Sequence, residues 1–172
     1  MSCVIGIVNY GFSGNIFSVK KTIEKADGKT LVINHPDDFM KVDKVVIPGV
    51  GSFVFAMSEL SNRGFIEPIL SFEYPILGIC LGMQLFSRIG FEYGETKGLG
   101  LIDAETVILK CSGILPNVGF NRIDVVRKNS LMKGIEKEEF YFMHSYEVIG
   151  SDNVSSNSIY CNNKFASSIE KD

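Results

Sequence analysis

The sequence has no long run of charge of one sign and no long hydrophobic run. Its 17 basic and 20 acidic side chains give a formal net charge of −3, which offers no electrostatic basis for binding nucleic acid or a membrane surface. The apolar stretches are too short and too rich in glycine to span a bilayer, and the first residues, MSCVIGIVNYG, lack the basic leader of a secretion signal. These absences predict a cytoplasmic protein of one domain with a small-molecule ligand.

Cysteine is also scarce: the four cysteines, Cys3, Cys80, Cys111 and Cys161, are far apart and form no C-x-x-C pair. No histidine lies near them at ligand spacing, so the pattern argues against a zinc site, and no cofactor is expected. In a reducing compartment all four should be free thiols. Three of them lie in apolar or strand-like runs and are predicted to be buried and inert. Cys80 has a different setting.

The first half of the chain alternates short apolar runs with helical patterns, which is typical of parallel strands joined by crossover helices. Four strands are predicted, over residues 3–8, 30–34, 44–48 and 76–79. Helices are predicted over residues 18–26, 53–62 and 65–70, and after Cys80. Ser13, Gly14 and Asn15 offer an N-cap for the first helix, and Gly28 and Gly64 are expected to end the first two.

The second half changes to strands in close succession, over residues 104–110, 121–128, 139–148 and 158–162, with no good crossover helix between them. The polar tract at residues 150–158 is interpreted as a hairpin loop. The sequence therefore predicts a single α/β domain with an open mixed sheet, parallel in its first half and antiparallel in its second.

The segment Gly78-Ile79-Cys80-Leu81-Gly82 matches the nucleophile elbow G-x-Nu-x-G, between a buried strand and a helix as that motif requires. The elbow places its nucleophile at the carboxyl edge of the sheet. A thiol at a helix N-terminus faces the positive end of the helix dipole, so a lowered pKa is expected for Cys80. The backbone N–H of Leu81 would then point toward the oxygen of an attacked carbonyl.

A second donor for an oxyanion hole is expected from Pro48-Gly49-Val50-Gly51, at the end of the preceding strand, because its two glycines let an amide turn inward. Each motif also has a simpler interpretation. G-x-C-x-G alone fits a buried cysteine in a Gly-rich strand end, and Pro-Gly-Val-Gly alone fits an ordinary strand-to-helix turn. The strand–turn–helix context favours the nucleophile.

Several segments together resemble a known family. They are VIPGVGSF at 46–53, LGICLGMQL at 77–85, KGLGLI at 97–102, PNVGFN at 116–121 and FYFMHSY at 140–146. In this order they resemble the glutaminase subunit of imidazole glycerol phosphate synthase, a class I glutamine amidotransferase. The resemblance runs from the first strand to the last residue. It implies a flavodoxin-like fold and hydrolysis of L-glutamine to glutamate and ammonia.

The resemblance also implies roles for individual residues. It makes Cys80 the nucleophile that forms a glutamyl thioester and assigns the oxyanion loop to Gly49 and Val50. The substrate would be held by Gln84, Glu92, Ser145 and Tyr146. Gln84 lies one helical turn beyond the nucleophile, and a carboxylate such as Glu92 suits an α-ammonium group, although solvated surface is the simpler interpretation of Glu92. His144 leads the Ser145-Tyr146 segment, and a lone histidine in an aromatic strand is more often structural.

The implied partner is a (β/α)8-barrel cyclase that receives the ammonia and makes imidazole glycerol phosphate in histidine biosynthesis. The sequence departs from the family in one extra residue between Tyr10 and Gly14, in Asn117 where a His is usual, and in Phe120 where a Trp is usual. These departures predict altered contacts at the interface. They leave open an alternative partner, an ATP-dependent sugar amidotransferase of a surface-sugar pathway.

A third departure concerns the catalytic base. The family completes its triad with a His and a Glu in a Q-F-H-P-E motif shortly after a stretch like KFASSIEKD, and this sequence ends at Asp172. His35 and His144 lie in other contexts, so neither is assigned as base. The 172 residues are therefore expected to form one domain lacking that segment, with little or no activity.

Two further classes stay open at this stage. One is a non-enzymatic subunit that still binds a partner. The other is a hydrolase or chaperone of the cysteine-elbow superfamily that includes intracellular proteases, although those proteins often carry a His directly after the nucleophile, where this chain has Leu81.

Overall fold

A computed structural model describes residues 3–11, 15–127 and 131–171. The first half builds a parallel sheet of four strands in the order β2-β1-β3-β4. The strands are β1 (Val4–Val8), β2 (Lys29–Ile33), β3 (Lys44–Ile47) and β4 (Ile76–Gly78). Because all four strands run the same way, their carboxyl ends meet at one edge, which is where open α/β sheets bind their ligands.

Four helices connect these strands as the apolar periodicity predicts. They are α1 (Ile16–Lys25), α2 (Phe53–Asn62), α3 (Ile66–Leu70) and α4 (Leu81–Leu85). A 3-10 helix (Pro36–Lys41), in a segment expected to be a polar loop, was not predicted. The side chain of Asn15 caps α1 by accepting a hydrogen bond from the Ser18 N–H at 3.4 Å, whereas Ser13 and Gly14 lie outside the described residues. Gly64 follows α2 in a left-handed conformation, φ +69°, which confirms its predicted role. After α1 the left-handed residue is Asp27 rather than Gly28.

The main hydrophobic core lies between the parallel sheet and its helices. Its largest fully buried members come from strands, helices and the segments between them: Val8, Tyr10, Ile33, Ile47, Phe53, Leu60, Phe65, Ile69, Leu81 and Leu85. Each fully buried side chain of this size contributes about 1.5–3 kcal/mol to folding. Helix α4, which follows Cys80, is therefore anchored in this core through Leu81 and Leu85.

The second half forms three further sheets from short strands. The strands are β5 (Ile89–Gly90), β6 (Thr96–Lys97), β7 (Glu105–Ile108), β8 (Asn117–Arg122), β9 (Asp124–Val125), β10 (Glu139–His144), β11 (Tyr146–Ile149), β12 (Val154–Tyr160) and β13 (Asn163–Ile169). Strand β10 pairs with β8, β11 with β7, and β12 with both β13 and β9, all antiparallel. The predicted α/β class, with a parallel first half and a largely antiparallel second half, is confirmed.

Some boundaries in the second half differ from the prediction. The run at 139–148 is two strands, because the chain leaves one sheet for another at Ser145, whose carbonyl accepts a hydrogen bond from the Leu109 N–H at 2.9 Å. The tract at 150–158 is a loop only at its start, since β12 begins at Val154, and β13 was missed altogether. These strands are rich in serine and asparagine, so apolar periodicity does not mark them.

The predicted burial of three cysteines is wrong. Cys3 is exposed, and Cys111 and Cys161 are half-buried. Cys161 lies at the turn between β12 and β13 with φ +49°, a conformation of turns rather than of strands. Within the described ranges, none of the helices has the length and apolarity needed to cross a membrane.

Candidate active site

Cys80 lies between β4 and α4 with φ +55° and ψ −112°. A positive φ is costly for a residue with a side chain, so the surrounding packing must impose it. The two flanking glycines show how. A Cβ on Gly78 would lie 2.6 Å from the carbonyl group of Gly82, and a Cβ on Gly82 would overlap with the carbonyl oxygen of Ile47. The elbow geometry predicted from the G-x-C-x-G pattern is present.

The electrostatic setting of Cys80 differs from the prediction. Cys80 is exposed by its surface area, yet the walls of the pocket around it desolvate the thiol and raise its pKa. A hydrogen bond from the Leu81 N–H lowers the pKa by a smaller amount. Helix α4 spans only five residues and carries a correspondingly small dipole. The predicted fall in the pKa of Cys80 is therefore wrong for the free chain, in which the Leu81 N–H interacts with the sulfur.

The predicted oxyanion loop lies against the elbow. A Cβ on Gly49 would be 2.8 Å from the Cβ of Leu81 and 3.1 Å from the backbone nitrogen of Gly82, so the loop passes as close as a glycine allows. Val50 is 43% exposed, and Gly51 has φ +100° with open space around its Cβ position. The first glycine is thus packed, whereas the next two residues have room to reorient.

Cys80, Gln84 and Tyr146 line one pocket of about 430 Å³. The Nε2 of Gln84 donates to the carbonyl oxygen of Tyr146 at 3.2 Å, which links α4 to β11. The hydroxyl of Thr106 donates to the carbonyl oxygen of Gln84 at 3.2 Å. The structure therefore brings the nucleophile and two of the predicted substrate residues together, in a space large enough for an amino acid.

Glu92 and Ser145 occupy different surroundings. The Oε2 of Glu92 accepts a hydrogen bond of 2.6 Å from the backbone N–H of Phe53, the first residue of α2. Glu92 is also close enough to Tyr146 to raise the pKa of that phenol, an effect second to desolvation. Glu92 is thus tied to the helix that follows the oxyanion loop. Ser145 is half-buried and is not among the residues that line the pocket.

His144 lines the pocket with Cys80, but both of its ring nitrogens are occupied. Nε2 lies 3.0 Å from the side-chain nitrogen of Asn117 and Nδ1 lies 2.9 Å from the carbonyl oxygen of Tyr146. This network fits a neutral ring that donates from Nδ1, and burial lowers its pKa. His35 is exposed, precedes the 3-10 helix and is not a pocket residue. Neither ring is in position to deprotonate Cys80.

The two residues of PNVGFN that depart from the family pattern, Asn117 and Phe120, lie in different surroundings in the structure. Asn117 is 1% exposed and its side chain is hydrogen-bonded to His144, so the interface role predicted for it is wrong. Phe120 is 68% exposed. Sequence reasoning also missed Tyr10, whose hydroxyl reaches the oxyanion loop, because no motif or spacing marks that contact.

Comparison with known proteins adds to this geometry. The chain matches the family model described as glutamine amidotransferase class-I over residues 6–171. It is 39% identical over 176 residues to imidazole glycerol phosphate synthase subunit HisH 1 of Campylobacter jejuni subsp. jejuni, which covers 98% of this chain and 87% of the relative. It is 39% identical over 178 residues to imidazole glycerol phosphate synthase subunit HisH 2 of Methanococcus maripaludis, with the same coverage of 98% and 87%.

Solved structures share the fold at lower identity. A crystal structure of a glutamine amidotransferase superposes with a TM-score of 0.70 and 12% identity over 88% of this chain and 78% of that chain. A glutamine amidotransferase from Thermotoga maritima gives a TM-score of 0.61 and 14% identity over 95% of this chain and 74% of that one. At these identities the likeness concerns the fold alone.

Proposed function

The chain belongs to the class I glutamine amidotransferase family, and on this premise we propose that it is the glutaminase subunit of an imidazole glycerol phosphate synthase. It hydrolyses L-glutamine to glutamate and ammonia, and it supplies the ammonia to a cyclase subunit in histidine biosynthesis. The two subunits form a heterodimer in the cytoplasm, and the cyclase is a (β/α)8 barrel.

One arrangement carries this proposal. A cysteine held at positive φ on a strand–turn–helix elbow faces a pocket of amino-acid size, and a glycine loop packs against the same elbow. Attack on an amide carbonyl needs an accessible nucleophile, backbone donors beside it and a pocket that holds the substrate.

In the reaction, the Sγ of Cys80 attacks the γ-carbonyl carbon of glutamine, and the carbonyl electrons move to the oxygen. We assign the stabilisation of this oxyanion to the backbone N–H groups of Leu81 and of the Gly49-Val50 segment. The nitrogen takes up the proton that the thiol loses, the C–N bond breaks, and ammonia leaves. Water hydrolyses the glutamyl thioester to glutamate and restores the thiol.

In this proposal the amino-acid part of the substrate contacts residues of α4, of the segment after β5 and of the start of β11. Gln84 holds the substrate from α4, and Glu92 pairs with its α-ammonium group. Ser145 and Tyr146 bind the α-carboxylate, for which Ser145 must turn toward the pocket. Supporting observations are the pocket shared by Gln84 and Tyr146 and the proximity of Glu92 to Tyr146.

The proton transfers need a general base, and among the described residues neither histidine is placed to serve Cys80. His144 is held on both ring nitrogens, and His35 lies away from the pocket. We propose that residues 1–172 form one glutamine amidotransferase domain that binds glutamine and by itself has little or no glutaminase activity. The His–Glu pair that the family resemblance implies is not among the residues lining this pocket.

The proposed docking surface for the synthase partner is an apolar patch on β8 and β10, made of Val118, Phe120, Tyr141 and Met143. These side chains are 54%, 68%, 57% and 54% exposed. They form two cross-strand pairs, Phe120 with Tyr141 and Val118 with Met143, and the aromatic rings are 5.4 Å apart. A contiguous exposed apolar patch of this kind is typical of protein interfaces.

The test measures binding of L-glutamine by calorimetry and glutamate release by the chain, with and without a cyclase subunit of histidine biosynthesis. Glutamine is expected to bind, and release is expected to be at least about 10²-fold slower than by the Campylobacter relative, because general acid–base catalysis contributes about 10²–10⁴-fold. Absence of glutamine binding would overturn the function. Release as fast as that of the relative would overturn the statement about the base, and binding of a sugar amidotransferase in place of the cyclase would overturn the choice of partner.

A further inference from the structure

Tyr10 lies just beyond the end of β1 and is 1% exposed. Its hydroxyl donates a hydrogen bond of 2.5 Å to the carbonyl oxygen of Pro48, the first residue after β3. Strands β1 and β3 are parallel neighbours, so this bond joins the carboxyl ends of two strands beneath the oxyanion loop. A buried phenol needs a polar partner, and here the partner belongs to the loop itself.

Because a peptide bond is planar, the hydrogen bond from Tyr10 to the Pro48 carbonyl also restricts the neighbouring amide. The Pro48 carbonyl and the Gly49 N–H belong to one rigid plane, so fixing the carbonyl also fixes the direction of that N–H. A Cβ on Gly49 would overlap with the Tyr10 hydroxyl, so phenol and loop are in direct contact. Rotation of the loop can therefore begin only at the peptide between Gly49 and Val50.

The other end of the loop is also fixed. The Phe53 N–H donates to Oε2 of Glu92 at 2.6 Å, which holds the start of α2. Between the two fixed points, Val50 is 43% exposed and Gly51 has open space around its Cβ position. Only the part of the loop around Val50 and Gly51 thus has room to reorient, and this is the part that would carry the second oxyanion donor.

The phenol is also near the nucleophile. Burial raises the pKa of Tyr10, and the negative charge of the Cys80 thiolate raises it further. Tyr10 is therefore a neutral hydrogen-bond donor at every pH at which the chain would work. It is a poor candidate for a base.

We propose that Tyr10 is a positioning residue for glutamine hydrolysis, holding the Pro48–Gly49 peptide so that the next amide can reach the oxyanion. This inference rests on the proposed function. Tyr10 acts through the loop, because its hydroxyl is occupied by the Pro48 carbonyl. Without that bond the loop would sample more orientations, and fewer of them would present a donor to the developing charge.

The experiment compares Tyr10→Phe with the unaltered 172-residue chain in two reactions of Cys80. A chloromethyl ketone analogue of glutamine passes through a tetrahedral oxyanion before the sulfur displaces chloride, whereas iodoacetamide is attacked by direct displacement. Removing a full oxyanion donor costs about 10²–10³-fold, so losing a positioning bond is expected to slow the ketone reaction at least about tenfold. The iodoacetamide rate and the affinity for L-glutamine should stay within about twofold.

The chain offers a matched control in Tyr160→Phe. The Tyr160 hydroxyl also donates to a backbone carbonyl, that of Ile114, at 2.6 Å, and it lies in the second half of the chain. This control should leave both rates unchanged. Thermal unfolding of both variants shows whether each is folded at the assay temperature.

Three results would overturn the inference. One is an unchanged ketone rate in Tyr10→Phe. Another is a parallel loss of ketone rate, iodoacetamide rate and glutamine affinity, which indicates general damage to the fold. A third is an equal loss of ketone rate in Tyr160→Phe. Failure of the proposed function is visible separately, since the unaltered chain would then react with the ketone without protection by L-glutamine, and the inference would fall with it.

Discussion

The two halves of the molecule stabilise themselves by different means. The parallel half buries a continuous set of large apolar side chains between sheet and helices, including Phe53, Leu60 and Phe65. In the antiparallel half the separate cluster around Ile102 and Val148 is small. One part of that half, the β12–β13 ladder, is instead joined by buried hydroxyl groups.

Serine dominates the interior of the β12–β13 ladder. The Oγ of Ser168 lies 2.8 Å from that of Ser155 and 2.6 Å from that of Ser156, and the latter lies 2.7 Å from that of Ser167. A hydrogen bond contributes about 0.5–1.5 kcal/mol net, less than a fully buried leucine or phenylalanine. The nucleophile is therefore carried by the half with the stronger packing, and part of the binding wall by the half that should open more easily.

The largest expected effect is on the reactivity of the parallel half, with little change in its stability. Cys80→Ser should reduce covalent capture of the glutamine analogue by at least about 10³-fold, since the hydroxyl is far less nucleophilic without an activating base. The free energy of unfolding should change by less than about 0.5 kcal/mol, because the side chain is exposed. Mass spectrometry and urea denaturation measure the two quantities. A large loss of stability would show that Cys80 is structural.

Gly82→Ala is expected to break the elbow. The new Cβ would overlap with the Ile47 carbonyl oxygen, and backbone on both sides leaves no inexpensive relief, so we expect a loss of at least about 3 kcal/mol. Gly51→Ala is the control, because it meets no atom within 4 Å and carries only the strain of φ +100°, about 1–3 kcal/mol. Urea denaturation measures the free energy of unfolding of both variants. Equal losses of stability would contradict the close packing of β3 against α4.

Phe120→Ser tests the docking patch of the antiparallel half. A large aromatic side chain central to an interface costs about 2 kcal/mol or more when truncated, so affinity for the cyclase subunit should fall about 30-fold. Tyr74→Ser is the control, since Tyr74 is also a large aromatic side chain, 62% exposed, and lies between α3 and β4. Titration calorimetry measures both. Unchanged affinity in Phe120→Ser, or an equal loss in the control, would place the partner elsewhere.

Ser168→Ala addresses the buried hydroxyls directly. It removes partners from Ser155 and Ser156, so we expect a loss of about 1–2 kcal/mol and faster amide exchange in β12 and β13. Amides in β1 and β3 should keep their protection. Ser58→Ala on exposed α2 surface is the control, and a change of the same size there would contradict the role of the serine network.

The smallest expected effect is a pH dependence from His144. Burial lowers its pKa below the ordinary 6.5, so the unfolded chain binds the proton more readily. The neutral ring therefore contributes stability above pH 6.5 that is lost as the pH falls toward the lowered pKa. His144→Gln should flatten the profile between pH 7 and 5, measured by thermal unfolding. A profile unchanged by the substitution would contradict the buried neutral ring.

Sequence predicted the parallel half well, because its strands and helices carry regular apolar periodicity and its elbow has a motif. Helix α2 was predicted with its bounds, and Cys80 with its place between a strand and a helix, although not with its raised pKa. The antiparallel half was harder, since a strand such as β13 buries hydroxyls that look polar in sequence. Contacts between distant segments, such as Tyr10 with Pro48 and Glu92 with the Phe53 N–H, depend on the fold and leave no local signal.

The most direct test of the account maps which cysteine the chloromethyl ketone analogue of glutamine modifies. Intact-mass and peptide analysis distinguish Cys80 from Cys3, Cys111 and Cys161, of which Cys3 is also exposed. We expect a single label on Cys80 that L-glutamine prevents. Labelling of Cys3 at a similar rate, or labelling of Cys80 that L-glutamine does not slow, would contradict it.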